Sequence, residues 1–167
     1  MYKRILLAYD GSREGARALR EGALIAKACC AQVFLLSVVP ESGGVLLVEG
    51  AQGGVVSKMA EAYKEQLERG VARLKEFGFD PVARLVVGEP APAIGAVAQE
   101  IGADLVVVGH RKQSLLSRWW GGSSGAYLSE HVPCSLLLCR DEISDEAFEA
   151  AMREAEAPTP DHHLVQR

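Results

Sequence analysis

Residues 104–124 read DLVVVGHRKQSLLSRWWGGSS. The run from Leu105 to Val108 is apolar at every position and is closed by Gly109. An uninterrupted apolar run of this length suits a strand buried on both faces of a parallel sheet. The chemistry then changes within one residue. Gly109, His110, Arg111 and Lys112 form a small, basic turn, Arg118 adds a cation, and no acid intervenes before Gly121-Gly122-Ser123-Ser124. Those four residues precede a short helical stretch ending near Pro133. A glycine-rich, hydroxyl-bearing turn at a helix start offers free backbone N–H groups and the positive end of a dipole, and neighbouring cations make it a seat for phosphate. The competing reading is a plain turn with a serine N-cap. These residues alone leave both open.

Outward from that stretch, strands alternate with helices. Residues 3–9 (KRILLAY) read as a first strand and Asp10-Gly11-Ser12 as the turn after it. Ser12 suits the N-cap of a helix running to about Cys30, with Glu14 in its first turn. Ala16, Leu19, Ala23, Ala26 and Cys30 recur at helical spacing and are expected to face inward. Residues 32–39 form the second strand. The glycine-rich connection 40–54 reads as a lid, a partner contact, a short strand or, with a slight preference, disordered chain. Val56, Met59, Tyr63, Leu67, Val71, Leu74 and Phe77 predict a long amphipathic helix ending near Gly78, its stripe serving the core. Residues 81–87 are the third strand. Ile94, Val97, Ala98 and Ile101 face inward from a third helix capped by Gly102. Pro133 stops the fourth helix, and residues 134–140 (CSLLLCR) are the fifth strand. Such alternation implies an α/β fold with right-handed crossovers. Ligands in open parallel sheets sit beyond the carboxyl ends of the strands, where strand order reverses.

The 167 residues suit one domain with a sizeable core, followed by a different tail. Residues 141–167 hold eight acids against two bases, which leaves 14 acids and 16 bases in the preceding 140 residues. The chain is expected to divide into a body at 1–140, an acidic helix at 141–157 and a disordered tail at 158–167. Ser144 caps that helix, and Ile143 and Phe148 occupy the two positions of a hydrophobic staple. A net charge of −4 without a basic excess argues against nucleic acid, and no apolar run is long enough to span a bilayer. Without a signal peptide the expected location is cytoplasmic. Cys29, Cys30, Cys134 and Cys139 match no zinc or redox spacing and read as buried or half-buried small residues. His162 and His163 make a poor metal site without further ligands. Trp119 and Trp120 read as packing or interface residues.

There is no GxxxxGK[ST] loop and no GxGxxG after the first strand. What remains is Asp10 after the first strand and Gly109-x-x-Lys112, nine residues, then Gly122-Ser123 after the fourth. On these motifs, and on KRILLAYDGS, ADLVVVGHR and HVPCSLLLCR, residues 1–140 resemble the universal stress protein family. Its nucleotide-binding branch carries G-x-x-G, nine residues, then G-[ST]. The resemblance implies a five-stranded parallel sheet of order 3-2-1-4-5 with helices on both faces, the Rossmann-like, adenine-nucleotide alpha-hydrolase-like fold. It implies ATP at the crevice between strands one and four, with Mg2+ an optional companion on the phosphates. Asp10 would face adenosine and backbone near Val38 and Val39 would meet adenine. Gly109, Arg111, Lys112, Gly122, Ser123 and Ser124 would serve the phosphates. Asp10 also reads as an Asx turn before a helix. Lys112 departs from the motif's second glycine. A side chain in a left-handed backbone costs about 1–2 kcal/mol, and a charge-assisted bond to phosphate returns about 1.5–3 kcal/mol. The family also commonly dimerises through the fifth strand, which implies a homodimer built on Cys134, Leu136 and Leu138. No residue is positioned as a base to activate water, so any ATP hydrolysis is expected to be slow. The alternative is a dimeric scaffold module of the same fold that takes no nucleotide.

Overall fold

The computed structural model describes residues 1–40, 53–109, 124–140 and 143–156, the side chains of 53–59, 124–127 and 156 excepted. In chain order the elements are β1 (Arg4–Ala8), α1 (Arg13–Cys29), β2 (Gln32–Val39), α2 (Gly53–Glu76), β3 (Val82–Val87), α3 (Pro90–Ile101), β4 (Leu105–Gly109), α4 (Ser124–His131), β5 (Ser135–Cys139) and α5 (Asp145–Glu156). The five strands form one sheet of order β3-β2-β1-β4-β5, with every neighbouring pair parallel.

Period-two alternation divides the central strands between two cores. Ile5, Leu7, Val33, Leu35, Leu105 and Val107 face a cluster completed by α1, α2 and α5. Leu6, Phe34, Leu36, Val106 and Val108 face the other, completed by α3, Leu128 and Val132. Burial on both faces is why these strands carry apolar residues in unbroken runs rather than at every second position, with Ser37 the buried polar exception.

Helix boundaries follow their capping residues. Gly102 ends α3 in a left-handed conformation, φ +60°, with its N–H directed at the carbonyls of Ala98 and Gln99. Cys30 ends α1 in the same way, φ +51°, and is exposed. Cys30 therefore caps the helix and does not belong to its buried face. Ala16 is also exposed. The buried face of α1 is Gly15, Ala18, Leu19, Gly22, Ala23 and Ala26. A side chain at Gly22 would meet Leu7 at 2.4 Å, so this glycine lets the helix lie close on the sheet.

The acidic C-terminal helix docks on the body. Ser144 Oγ accepts from the Ala147 N–H at 3.2 Å. Phe148 is 5% exposed and its ring lies 4.5 Å from that of Phe77. Arg20 of α1 donates to the Ile143 carbonyl at 3.0 Å, pairs with Asp145 and stands over the Phe148 ring. An open cleft of about 530 Å³ between α2 and α5 is lined by both charge signs, among them Arg73, Glu76, Glu149 and Arg153, around Phe77 and Phe148.

Cys139 is buried, and burial, then the hydrogen bond to Glu21 and its charge, raise its thiol far above the usual 9.0. The folded chain keeps that proton after the unfolded chain has released it. Stability is therefore expected to be full below about pH 8.5 and to fall as pH rises further. Urea midpoints measured under reductant between neutrality and pH 10 test this. Cys139→Ala should flatten the decline.

Candidate functional site

β1 sits between β2 and β4, and the chain leaves it toward β2 while β4 arrives on its other side. Strand order reverses here, and in open parallel sheets it is above the carboxyl ends of the strands at such a reversal that ligands bind.

The β1 side is tightly built. Tyr9 N–H donates to the Leu36 carbonyl at 2.8 Å, and the hydroxyl of fully buried Ser37 donates to the Tyr9 carbonyl at 2.7 Å. These bonds hold the chain over β2 and deliver Asp10 to the start of α1. Asp10 Oδ1 accepts from the Ser12 N–H at 3.0 Å and from the Ser12 hydroxyl at 2.5 Å. Ser12 Oγ in turn accepts from the Gly15 N–H at 2.9 Å. Asp10 thus forms an Asx turn, and Ser12 is the N-cap as predicted. Gly15 leaves room for the carboxylate, since a Cβ there would lie 2.6 Å from Asp10 Oδ1. Removing the cap with Ser12→Ala is expected to cost about 0.5–2 kcal/mol. A lower urea midpoint with an unchanged slope is the check.

The β4 side meets this turn directly. A Cβ on Gly109 would fall 2.4 Å from the Glu14 carbonyl oxygen and 3.0 Å from the Gly15 nitrogen. The last residue of β4 therefore rests against the first turn of α1, and the two sequence motifs converge at backbone contact.

The end of β2 adds a wall. Val39 accepts from the Gly88 N–H at 3.0 Å, so its backbone belongs to the β2–β3 ladder. Backbone direction alternates along a strand, and Leu36 bonds toward β1. Val38 therefore directs its backbone groups to the crevice side. The side chain of Val39 is buried and that of Val38 half-buried.

Residues on α2 lie close to the Asp10 turn, among them Tyr63, which the sequence reading places in the core stripe. Gln66 packs on Gly11, which has φ +72°. The Gln66 Oε1 is buried without a hydrogen-bond partner among the described residues. Burial, and then the charge of Asp10, raise the phenol pKa of Tyr63. Burial also raises that of Tyr9, whose ring would touch a Cβ on Gly70 at 2.8 Å. Tyr63 was legible as part of the apolar stripe, but nothing in the sequence singled out Gln66 and Gly70 as neighbours of the β1 turn.

Ser124 is the first residue of α4. Arg111, Lys112, Arg118, Trp119, Trp120, Gly121, Gly122 and Ser123 lie outside the described residues, as do His162, His163 and most of the 40–54 connection. Among the described residues no group of three or more His, Cys, Asp or Glu side chains is arranged to hold a metal ion, and no helix is long and apolar enough to cross a membrane.

The universal stress protein family model matches residues 1–140. A universal stress protein of Thermus aquaticus is 32% identical over 148 residues, covering 84% of this chain and 100% of the relative. One from Methanocaldococcus jannaschii is 28% identical over 141 residues, covering 84% and 83%. A universal stress protein solved in complex with cAMP superposes with a TM-score of 0.63 at 25% identity, over 83% of this chain and 97% of the other.

Proposed function

This chain belongs to the universal stress protein family, and from that premise we propose that it is a regulatory protein that binds ATP in the crevice between β1 and β4. The observation that carries this reading is the backbone contact between Gly109 and the first turn of α1, beside the fixed carboxylate of Asp10. An adenine nucleotide, cAMP, in a structural relative supports the ligand class. Asp10 serves the adenosine part and the backbone of Val38, with Val39 behind it, meets adenine. Gly109, Arg111, Lys112, Gly122, Ser123 and Ser124 hold the phosphates, with Mg2+ as their counter-ion. ATP occupancy then biases loop order, a partner surface or the contacts of a homodimer joined along β5 through Cys134, Leu136 and Leu138. The protein works by binding, with hydrolysis slow.

Calorimetric titration with ATP and magnesium tests this directly. Saturable binding with Kd below about 1 mM is expected. Gly122→Asp sets a carboxylate against the phosphates and should abolish it. A flat titration rejects the proposal. Light scattering at micromolar concentration separately tests the dimer.

Two features favour a nucleotide-free scaffold as the second reading. Lys112 replaces a motif glycine, and the Asp10 carboxylate already accepts two hydrogen bonds within its own turn. Nucleotide absorbance in the supernatant of heat-denatured, freshly purified protein would count against that reading. A scaffold would also tolerate Gly122→Asp with its dimer intact.

A further inference from the structure

The sheet has two edges, and they are treated differently. Along β5 only Ser135 is exposed. Along β3 five of six residues are exposed, including Val82 at 37%, Leu85 at 37% and Val87 at 61%. Proteins usually blunt a free edge with lysine, proline, a bulge or an unpaired charge. The β3 sequence VARLVV has no lysine or proline, and its one charge, Arg84, is paired with Glu100 at 3.2 Å.

The ladder shows which backbone groups are on offer. Val39 pairs with Val87, and the Gly88 N–H reaches the Val39 carbonyl. The N–H and C=O of one residue point to the same side of a strand, and the side alternates. Those of Val82, Arg84 and Val86 therefore turn to β2. Those of Ala83, Leu85 and Val87 turn outward, beside exposed apolar side chains.

From this the geometry points to β3 as a docking edge for an extended segment of another protein, apolar at alternate positions and basic at both ends, added as an outer strand. The basic ends follow from charge. Exposed Asp80 stands before β3 and exposed Glu89 after it, while Arg84 is neutralised by Glu100. A second copy of this chain fits worse. Antiparallel pairing about Leu85 brings Asp80 of each copy beside Glu89 of the other. A shift to centre on Arg84 sets the two arginines directly opposite, which is destabilising. Main-chain bonds would supply affinity and the side-chain alternation would supply selectivity.

The test uses a fluorescent heptapeptide, Lys-Val-Thr-Val-Thr-Val-Lys, titrated with the full chain. Two variants accompany it: one N-methylated at the alternate amides that would face β3, one with glutamate at both ends. The parent peptide is expected to bind saturably. N-methylation should weaken binding by about tenfold or more, and the glutamate ends should weaken it by an amount that shrinks as salt rises. Leu85→Lys, at an exposed position, should lower parent binding by about tenfold with little change in melting temperature. Equal affinity for the N-methylated peptide, no binding of the parent, or indifference to Leu85→Lys would each overturn the assignment. So would a solution mass that halves in Leu85→Lys, which would make the occupant a second copy.

Discussion

Phe148→Ala is expected to lower the stability of the whole chain by about 3–5 kcal/mol, the usual cost of truncating a buried aromatic ring. For a chain of this size that corresponds to a fall in melting temperature of about 6–20 °C. The ring is 5% exposed, meets Phe77 at 4.5 Å and lies under the guanidinium of Arg20 at 5.7 Å. Its loss opens a cavity at the junction of α1, α2 and α5 and removes one aromatic and one cation–π contact. The magnitude decides how α5 relates to the body. If 141–157 were an appendage, alanine would release the helix and leave the main unfolding transition nearly unchanged. If α5 closes the same core as Ile5, Leu7 and Leu35, the single main transition moves as a whole. Phe148 belongs to that cluster, so the second result is expected. Phe148→Leu should recover about half of the loss. A shift below about 1 kcal/mol for alanine would show that the docking contributes little.

The central strands were legible because burial on both faces makes them largely apolar, and β2 falls on Gln32–Val39 as predicted. Their order was not. Periodicity says which residues face a core but not which strand is adjacent, and 3-2-1-4-5 came from the resemblance. The face of α1 was read in part: Leu19, Ala23 and Ala26 are buried as expected, Ala16 and Cys30 are not, and the glycines of the face were missed. A hydrophobic pattern counts side chains, whereas this helix also approaches the sheet through Gly15 and Gly22, which have none. Asp10 and Gly109 could be singled out by residue type after a strand. That Gly109 meets the Glu14–Gly15 backbone, one turn from Asp10, depends on the β1–β4 register, which the sequence does not display. Docking of α5 was illegible for the same reason. An amphipathic helix announces that it has a partner face, and Arg20, 125 positions from Asp145, could not be named as its clamp.

Two added methyl groups should separate fold from function most sharply. In Gly109→Ala the new Cβ would sit 2.4 Å from the Glu14 carbonyl oxygen and 2.6 Å from its carbon. In Gly95→Ala it would sit 2.2 Å from the His131 carbonyl oxygen, where α3 passes α4. Both clashes are with backbone, which cannot rotate away, so β4 and α1 must part in one case and α3 and α4 in the other. Each is expected to cost about 1–3 kcal/mol or more of stability. Their effects on nucleotide should differ. Parting β4 from α1 moves Gly109 away from the Asp10 turn, and a displacement of a few tenths of an ångström or more spoils a site built on backbone donors. ATP affinity is expected to fall by about tenfold or more, the equivalent of one lost hydrogen bond to a charged group. Gly95 lies against His131 at the carboxyl end of the helix that begins at Ser124, away from the junction of β4 and α1, so Gly95→Ala, assayed well below its melting temperature, should lower affinity clearly less than Gly109→Ala does. Equal loss in both variants would mean that affinity tracks general stability. Unchanged affinity in Gly109→Ala, with the stability loss present, would mean that nucleotide does not use the junction of β4 and α1, and the crevice would have to be abandoned as its site.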